Sequence, residues 1–492
     1  MAKIRTLPRS QKPAKTGITV VFCLENHSLE GHPCLDAQAR ASAEAEGFKG
    51  AKDKSLYLPG PGKRLLLVGL GKVAELELEG MRRAACSAAR KARELKASDA
   101  VLCLPLDQPK GISEADLAKA AAEGIWLGLY RFTAYKSKAK AADETHDPSP
   151  FTLLCSTESR SAAAAKSVEE ARVVCDAVCM VRDMINTPPN DFNPSIAAQR
   201  AARISKLGPR MRLKVLRAAE IRAMGMGGVS AVGQGSKTPP VFVHLHYRPA
   251  RFKKTVALVG KGVTFDSGGL SIKGASHMTE MKSDMSGGAT VLGLALAASR
   301  LKLPVEIHAV APFVENMPGG AAFRVDDVLT FLNGKTAEIM NTDAEGRLIL
   351  ADALVYASRL KPDMIIDFAT LTGAAIVALG MNITALMGDD AIIQRLKEAG
   401  EAQGEMMWQL PLPKAYRSHI DSRIADMKNT GNSGEAGTIS AALFLKEFVD
   451  EGLPWVHCDI AGPAFLKKDD GIHPAGATGT PLRSVIEYLK SL

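Results

Sequence analysis

Between Val259 and Arg347 the chain gathers acids and bases that a protein concerned only with burial would scatter. Val259-Gly-Lys-Gly-Val-Thr-Phe-Asp-Ser-Gly-Gly269 presents Lys261 and Asp266, Lys273 follows, and Met281-Lys-Ser-Asp-Met-Ser-Gly-Gly288 adds Asp284. Asn341-Thr-Asp-Ala-Glu-Gly-Arg347 supplies Asp343, Glu345 and Arg347. The two stretches read as halves of one metal site. Four carboxylates brought together repel one another and have raised pKa values unless cations neutralise them. A pair of divalent ions does so economically. With no His or Cys in either stretch the donors are hard oxygens, which suits Mn²⁺ or Mg²⁺ and still allows Zn²⁺. Lysine coordinates a metal only as the neutral amine, and its unperturbed pKa is about 10.4. From spacing alone, Lys261 therefore reads as a counter-ion to Asp266. Gly268, Gly269, Gly287, Gly288 and Gly346 permit close backbone approach around these groups.

The elements that must position these residues follow from hydrophobic pattern. Val241–Tyr247, Val256–Val259, Val305–Pro312, Met364–Ala369 and Val456–Ile460 read as strands, several apolar on both faces, as in a largely parallel sheet covered by helices. Gly287–Leu301, Leu348–Leu360 and Thr438–Val449 read as helices. Asp266 follows the Thr255–Val259 run, and Asp343 follows a strand-like Thr336–Met340. Both thus sit at carboxyl ends of strands, where open α/β sheets gather ligands. Upstream, short strand-like runs (Ile18–Leu24, Arg64–Val68, Val101–Leu104, Phe151–Cys155) alternate with Ala-rich helical stretches at Met81–Leu95 and Ser113–Leu129. Gly69-Leu-Gly-Lys-Val-Ala74 matches the dinucleotide fingerprint only superficially and reads as a strand-to-helix turn. Lys136 to Pro150 reads as a polar surface loop. Val168, Ala171, Val174, Val178, Val181 and Ile185 recur at helical spacing over Ser161–Ile185, and Asn186-Thr-Pro-Pro-Asn190 ends that helix. The expected fold is α/β in two domains: a smaller N-terminal α/β domain over 1–160, a linker helix over 161–187, and a larger catalytic domain over 188–492 with a mixed, largely parallel sheet flanked by helices.

Composition bounds the alternatives. A chain of 492 residues exceeds one ordinary core, and no run of eighteen apolar residues predicts a membrane span. The net charge of +9 permits contact with nucleic acid, although Lys and Arg are interleaved with acids. Met1 to Lys15 is basic without an apolar core, which argues against secretion. The eight cysteines are spread singly save Cys175 and Cys179, whose spacing reads as helix packing. A reducing cytoplasm is the expected location.

Lys261, Asp266, Lys273, Met281, Asp284 and the Asn341–Arg347 heptapeptide resemble the signatures of the leucyl aminopeptidase family, the cytosolic two-metal aminopeptidases. The similarity continues through Asn186–Asn190, Glu315-Asn-Met-Pro318, Ala369-Thr-Leu-Thr-Gly-Ala374 and His457-Cys-Asp-Ile-Ala-Gly462, in order over the C-terminal two-thirds. One departure is Arg324-Val-Asp-Asp327 in place of a more usual Arg-Pro-Gly-Asp, outside the ligand positions.

The resemblance implies that Asp266 and Glu345 bridge two metals (Mn²⁺ or Zn²⁺), with Lys261 and Asp284 completing the tight site and Asp343 the exchangeable one. It implies that Lys273 stabilises the developing oxyanion and that Arg347 holds a bicarbonate acting as general base, since a guanidinium does not deprotonate. Met281, Thr370, Gly373, Ala461 and Ala464 would line the pocket for the first side chain, and Leu371 would offer a main-chain contact. A pocket of Met, Ala and Gly suits Leu or other medium apolar side chains, and the small Ala464 suggests a broad one. The expected function is release of an unblocked N-terminal residue from peptides by a cytoplasmic homohexamer, with no membrane partner. A two-metal phosphoesterase is the rival, disfavoured by the lysine ligand and the absence of His. A DNA-binding role, which some bacterial relatives show, is permitted by the basic balance.

Overall fold

The computed structural model describes residues 1–13, 15–27, 29–30, 32–60, 64–140, 147–432 and 434–492. Residues 141–146 of the expected polar loop lie outside them. The chain divides into two compact units, Met1–Asp176 with Lys468–Pro474, and Ala177–Lys467 with Ala475–Leu492. The helix Glu158–Asn186 passes through the division. It has no internal Pro or Gly, and Pro188 and Pro189 follow its end. The next helix, Pro194–Leu207, opens with proline in its first turn, and the Asn193 side chain accepts the N–H of Ile196 at 3.2 Å.

The first unit is built on strands β1 (Ile4–Pro8), β2 (Ile18–Cys23), β3 (Ser55–Leu58), β4 (Leu65–Gly69), β5 (Ala100–Cys103) and β6 (Phe151–Cys155). They form one sheet in the order β1-β6-β5-β2-β4-β3, parallel except for β3 against β4. β2, β4, β5 and β6 are buried along their whole length, as a sheet covered on both faces requires. The helix Glu114–Leu129 starts with a capping box: Ser113 Oγ accepts the N–H of Asp116 while Asp116 Oδ2 accepts the N–H of Ser113. Gly69–Ala74 makes a turn and enters the short 3₁₀ helix Val73–Glu75 before the helix Leu78–Glu94 begins. The backbone there does not run directly from strand into helix. Cys34 and Cys103 are joined by a disulfide across 69 residues of sequence. Nothing in the spacing of the cysteines signals that bond, because the end of β5 and the segment before the helix Ala37–Ala45 meet only in the folded unit.

The second unit contains β7 (Met211–Arg217), β8 (Val241–Tyr247), β9 (Lys254–Gly260), β10 (Gly262–Asp266), β11 (Val305–Asn316), β12 (Val328–Thr330), β13 (Thr336–Glu338), β14 (Met364–Ala369), β15 (Thr384–Gly388), β16 (Met407–Gln409), β17 (Met427–Lys428) and β18 (Trp455–Asp459). A nine-stranded mixed sheet runs β16-β15-β18-β14-β9-β11-β8-β7, with β10 paired to β11. Its centre, β18-β14-β9-β11, is parallel. The helices Ser286–Leu301 and Gly346–Ser358 are buried through almost every residue, so they read as apolar all round and not as amphipathic stripes. β13 belongs to a separate small sheet with β12 and β17. The acids after it are thus delivered from beside the main sheet and not from one of its strands, contrary to the expectation for Asp343. Residues apolar enough to read as strand over Thr336–Met340 pair only as far as Glu338.

Candidate metal centre and active site

Each acid arrives by a different route. Asp266 is the last residue of β10, where Asn316 at the end of β11 lies opposite it. Its Oδ1 accepts the N–H of Gly268 and the Nδ2–H of Asn316, each at 2.8 Å. Asn316 also donates to the carbonyl of Thr342 at 3.0 Å, so one amide ties Asp266 to the segment bearing Asp343. Thr342 Oγ1 donates to the carbonyl of Gly268 at 2.6 Å. Gly268 has a φ of +86°, and a Cβ there would come within 3.1 Å of Asp343 Oδ1. Asp284 sits in the 3₁₀ turn Met281–Met285, and Glu345 immediately precedes the helix Gly346–Ser358.

Two lysines tie the acids together. Lys261, between β9 and β10, places Nζ 2.8 Å from Asp284 Oδ1, 2.9 Å from Glu345 Oε1 and 2.9 Å from the carbonyl of Thr370. Lys273 Nζ lies 2.9 Å from Asp266 Oδ2 and 2.5 Å from Asp343 Oδ1. Lys261, Asp266, Asp284 and Glu345 are all buried. Asp266, Asp343 and Glu345 each bring one carboxylate oxygen within 4.8 Å of the other two. The structure thus unites all five expected metal-ligand positions with Lys273.

The electrostatics point to a centre short of positive charge. Burial, and after it the charge of Asp266, pushes Glu345 up to about 8 despite Lys261. Burial pushes Asp284 up to about 6 against the opposing pull of Lys261. Asp343 is raised as well, by burial and then by Asp266. Burial opposes the charge on Lys261, yet Asp284, Glu345 and Asp266 outweigh it and hold the ammonium well above its ordinary range. Oδ2 of Asp284 is buried and has no hydrogen-bond partner. An oxygen-rich, buried set with an orphaned acceptor and raised carboxylates fits divalent cations.

Arg347, in the first turn of the helix Gly346–Ser358, donates Nη1–H to the carbonyl of Asn429 at 2.8 Å. Its buried Nε has no partner, and burial pulls the guanidinium down to about 10. It borders a cavity of about 360 Å³ together with Asn341, Thr430, Gly431 and Ser440.

Of the expected substrate-binding residues, Thr370 touches this centre directly. Thr370 Oγ1 donates to Asp284 Oδ1 at 2.7 Å. The N–H groups of Leu371 and Ala461 both donate to Asp459 Oδ1 at 3.1 Å, so the segments after β14 and β18 are clamped side by side. Gly373 opens the helix Gly373–Leu379, and a Cβ there would meet nothing within 4 Å. Met281 begins the turn that carries Asp284, and Ala464 is buried. Three organisers carry no signal of their own in the sequence: Asn316, Asp459 and Asn429. Asn429 Oδ1 accepts the N–H of Met340 at 2.8 Å and its Nδ2 donates to the carbonyl of Asn341 at 2.7 Å. Asn316 and Asp459 lie inside the Glu315–Pro318 and His457–Gly462 motifs, which was the available clue.

A buried carboxylate centre beside the carboxyl ends of the central strands fits a metal-dependent hydrolase, and comparison with known proteins narrows the class. The cytosol aminopeptidase family's catalytic-domain model matches residues 179–486 and its N-terminal-domain model residues 20–139. A probable cytosol aminopeptidase of Thermosynechococcus vestitus is 43% identical over 453 residues, 91% of this chain and 89% of that one. One from Roseiflexus castenholzii is 45% identical over 435 residues, 87% of each. Among solved structures, the bottromycin maturation enzyme BotP in complex with Mn superposes with a TM-score of 0.86 at 36% identity, covering 96% of this chain and 99% of that one. A mutant of tomato leucine aminopeptidase gives 0.88 at 32% identity over 100% of this chain and 97% of its own.

The chain belongs to the cytosol aminopeptidase family. It is accordingly a metallo-aminopeptidase, a hydrolase whose substrates are peptides. Among the described residues no helix is long and apolar enough to cross a membrane.

Proposed function

We propose that the protein releases unblocked N-terminal residues, with Leu and other medium apolar side chains preferred, at a pair of divalent ions held by Lys261, Asp266, Asp284, Asp343 and Glu345. The observation that carries this reading is the buried cluster of carboxylates with raised pKa values around Lys261 and Lys273. When bound, such ions acidify water and polarise the scissile carbonyl. Asp266 and Glu345 would hold the ions together with Asp284 and Asp343, and Lys261 would join them only as the neutral amine. The ammonium of Lys273 provides a fixed positive charge beside the place where the carbonyl oxygen gains charge, an interaction stronger in the transition state than in the ground state. Leu371 and Ala461, held through Asp459, fix the wall against which the first residue lies. The small side chain of Ala464 supports a pocket broad enough for Phe.

The position of Arg347 at the border of a small cavity supports a bicarbonate site that supplies the general base. The manganese of BotP supports Mn²⁺ as one of the ions, with Zn²⁺ the other candidate. Cytoplasmic location and hexameric assembly come from the same family resemblance.

The test is hydrolysis of Leu-p-nitroanilide by metal-stripped protein before and after Mn²⁺ or Zn²⁺ is restored, beside Asp343→Ala and with p-nitrophenyl phosphate as a control. Activity regained by the wild type on the anilide alone, and by the variant on neither, is expected. Failure with every divalent ion tried overturns the reading. Bicarbonate-free buffer should lower kcat in the wild type and leave Arg347→Ala unchanged.

A further inference from the structure

The neighbouring strands β8 and β11 carry a group of side chains that the catalytic centre does not use. β8 reads Val241-Phe-Val-His-Leu-His-Tyr247, and β11 begins Val305-Glu-Ile-His308. Their antiparallel register sets His308 opposite His246 and Val310 opposite His244. Because successive side chains alternate, His244, His246, Glu306 and His308 share one face. Nε2 of His246 lies 2.9 Å from Oε1 of Glu306, and the rings of His246 and His308 stack with centroids 4.3 Å apart. One donor atom from each of His246, Glu306 and His308 lies within 4.8 Å of the other two. Glu306 and His308 are buried while His246 is partly exposed, so the group is built into the sheet yet reachable from solvent.

We propose that His246, Glu306 and His308 form a further divalent-metal site of the zinc class, which clamps β8 to β11 and is separate from the catalytic centre. Two imidazoles and a carboxylate are the donors that borderline ions such as Zn²⁺ select, with bonds of about 2.0–2.2 Å and a water completing the tetrahedron. Donors around such an ion stand about 3.4 Å apart, a value derived from those bond lengths. The three donors lie within 4.8 Å of one another, so a bound ion would draw them closer and replace the proton shared by His246 and Glu306.

The surroundings are those of a metal ligand set. Nε2 of His244 lies 2.9 Å from Nδ1 of His308, and Nδ1 of His244 lies 3.1 Å from the hydroxyl of Tyr356. That chain fixes the His308 ring and leaves its Nε2 for the ion. Thr255 Oγ1 donates to Oε2 of Glu306 at 2.9 Å, which leaves Oε1 toward His246. The cations nearby are Arg248, whose exposed Nε is 3.5 Å from Glu306 Oε1, and the exposed Arg212 and Lys214 opposite His246 and His244 on β7. Exposed charges are screened by salt and moderate the affinity without abolishing it. β11 runs eight residues from His308 to Asn316, about 26 Å at the rise of a strand, so an ion here acts on the sheet and not on the reaction.

The experiment loads metal-stripped full-length protein with Zn²⁺, removes loosely held ions by gel filtration, and counts zinc per chain in the wild type, His246→Asn and Glu306→Gln. One ion fewer per chain is expected in each variant, with wild-type activity on Leu-p-nitroanilide and an unchanged circular-dichroism spectrum. The Zn²⁺-dependent rise in melting temperature should also be smaller in both variants than in the wild type. Equal zinc counts in all three proteins overturn the proposal and make the cluster a hydrogen-bonded network only. Should a variant fail to fold, anomalous scattering at the zinc edge from wild-type crystals decides: density between His246, Glu306 and His308 supports the site, and none at saturating Zn²⁺ overturns it.

Discussion

Lys261 governs the charge balance of the active centre, and a glycine leaves it room. A Cβ at Gly346 would stand 2.5 Å from Lys261 Cε and 2.7 Å from its Nζ, closer than any side chain tolerates. Gly346→Ala is therefore expected to displace the lysine from Asp284 and Glu345 and to cut kcat/KM for Leu-p-nitroanilide by about 100-fold, the cost of a misplaced catalytic group. Wild-type kinetics in a correctly folded Gly346→Ala protein would detach Lys261 from the chemistry. The acids of this site were legible in the sequence because Asp266, Asp284, Asp343 and Glu345 stand among glycines at the ends of apolar runs, where stability alone gives no reason for them. Asn429 was not legible. Its work is to hold the backbone at Met340 and Asn341, far away in sequence, and an asparagine in a loop looks the same whether or not it does this. The metal role proposed for Lys261 rests only on family resemblance, since by itself a lysine beside acids is a counter-ion, which is also how it is paired here.

At the scale of elements, the helix Gly346–Ser358 delivers Arg347 and is itself anchored by a buried acid. Asp352 Oδ2 accepts the N–H of Val229 at 3.0 Å and its Oδ1 accepts that of Leu332 at 2.9 Å. Asp352→Ala leaves both donors buried and unpaired, at a cost of about 2–4 kcal/mol, to be read as a lower urea midpoint with an unchanged m-value. The same carboxyl should shape the pH dependence. Burial pushes it up from 3.8 to about 7, against backbone hydrogen bonds that lower it. The folded state therefore holds this proton where the unfolded chain has released it. The stability so gained is complete below pH 3.8 and is lost as pH rises through about 7. The urea midpoint of the wild type should fall across that window relative to Asp352→Ala, and parallel midpoints would reject the assignment. Strand and helix positions in this unit followed from apolar runs because its elements are buried on nearly all sides. The boundaries did not, since the residues that stop pairing at Glu338, or that carry β11 on to Asn316, do so for reasons of tertiary fit.

For the whole molecule, the family resemblance implies a hexamer. Val377 is 89% exposed, Ile424 65%, Ile272 63% and Trp408 57%, and association of copies through any of them would remove apolar surface from water. Light scattering should return about six times the chain mass, and a monomer at micromolar concentration would refute that assembly. The net charge of +9 raises the separate question of DNA. Counterion release demands free cations aligned on phosphates, and each real contact steepens the salt dependence of binding. Here many surface cations already have acidic partners: Arg172 is paired with Glu169 and Asp176, Arg324 with Asp327, and Arg417 with Asp421 and Glu447. A chain so interleaved attracts DNA weakly and diffusely. Mobility shifts with a duplex of arbitrary sequence are therefore expected only at low salt and to vanish by physiological ionic strength. A complex that survives there, with a steep linear slope of log affinity against log salt, would instead establish a continuous basic footprint and a second function for the protein.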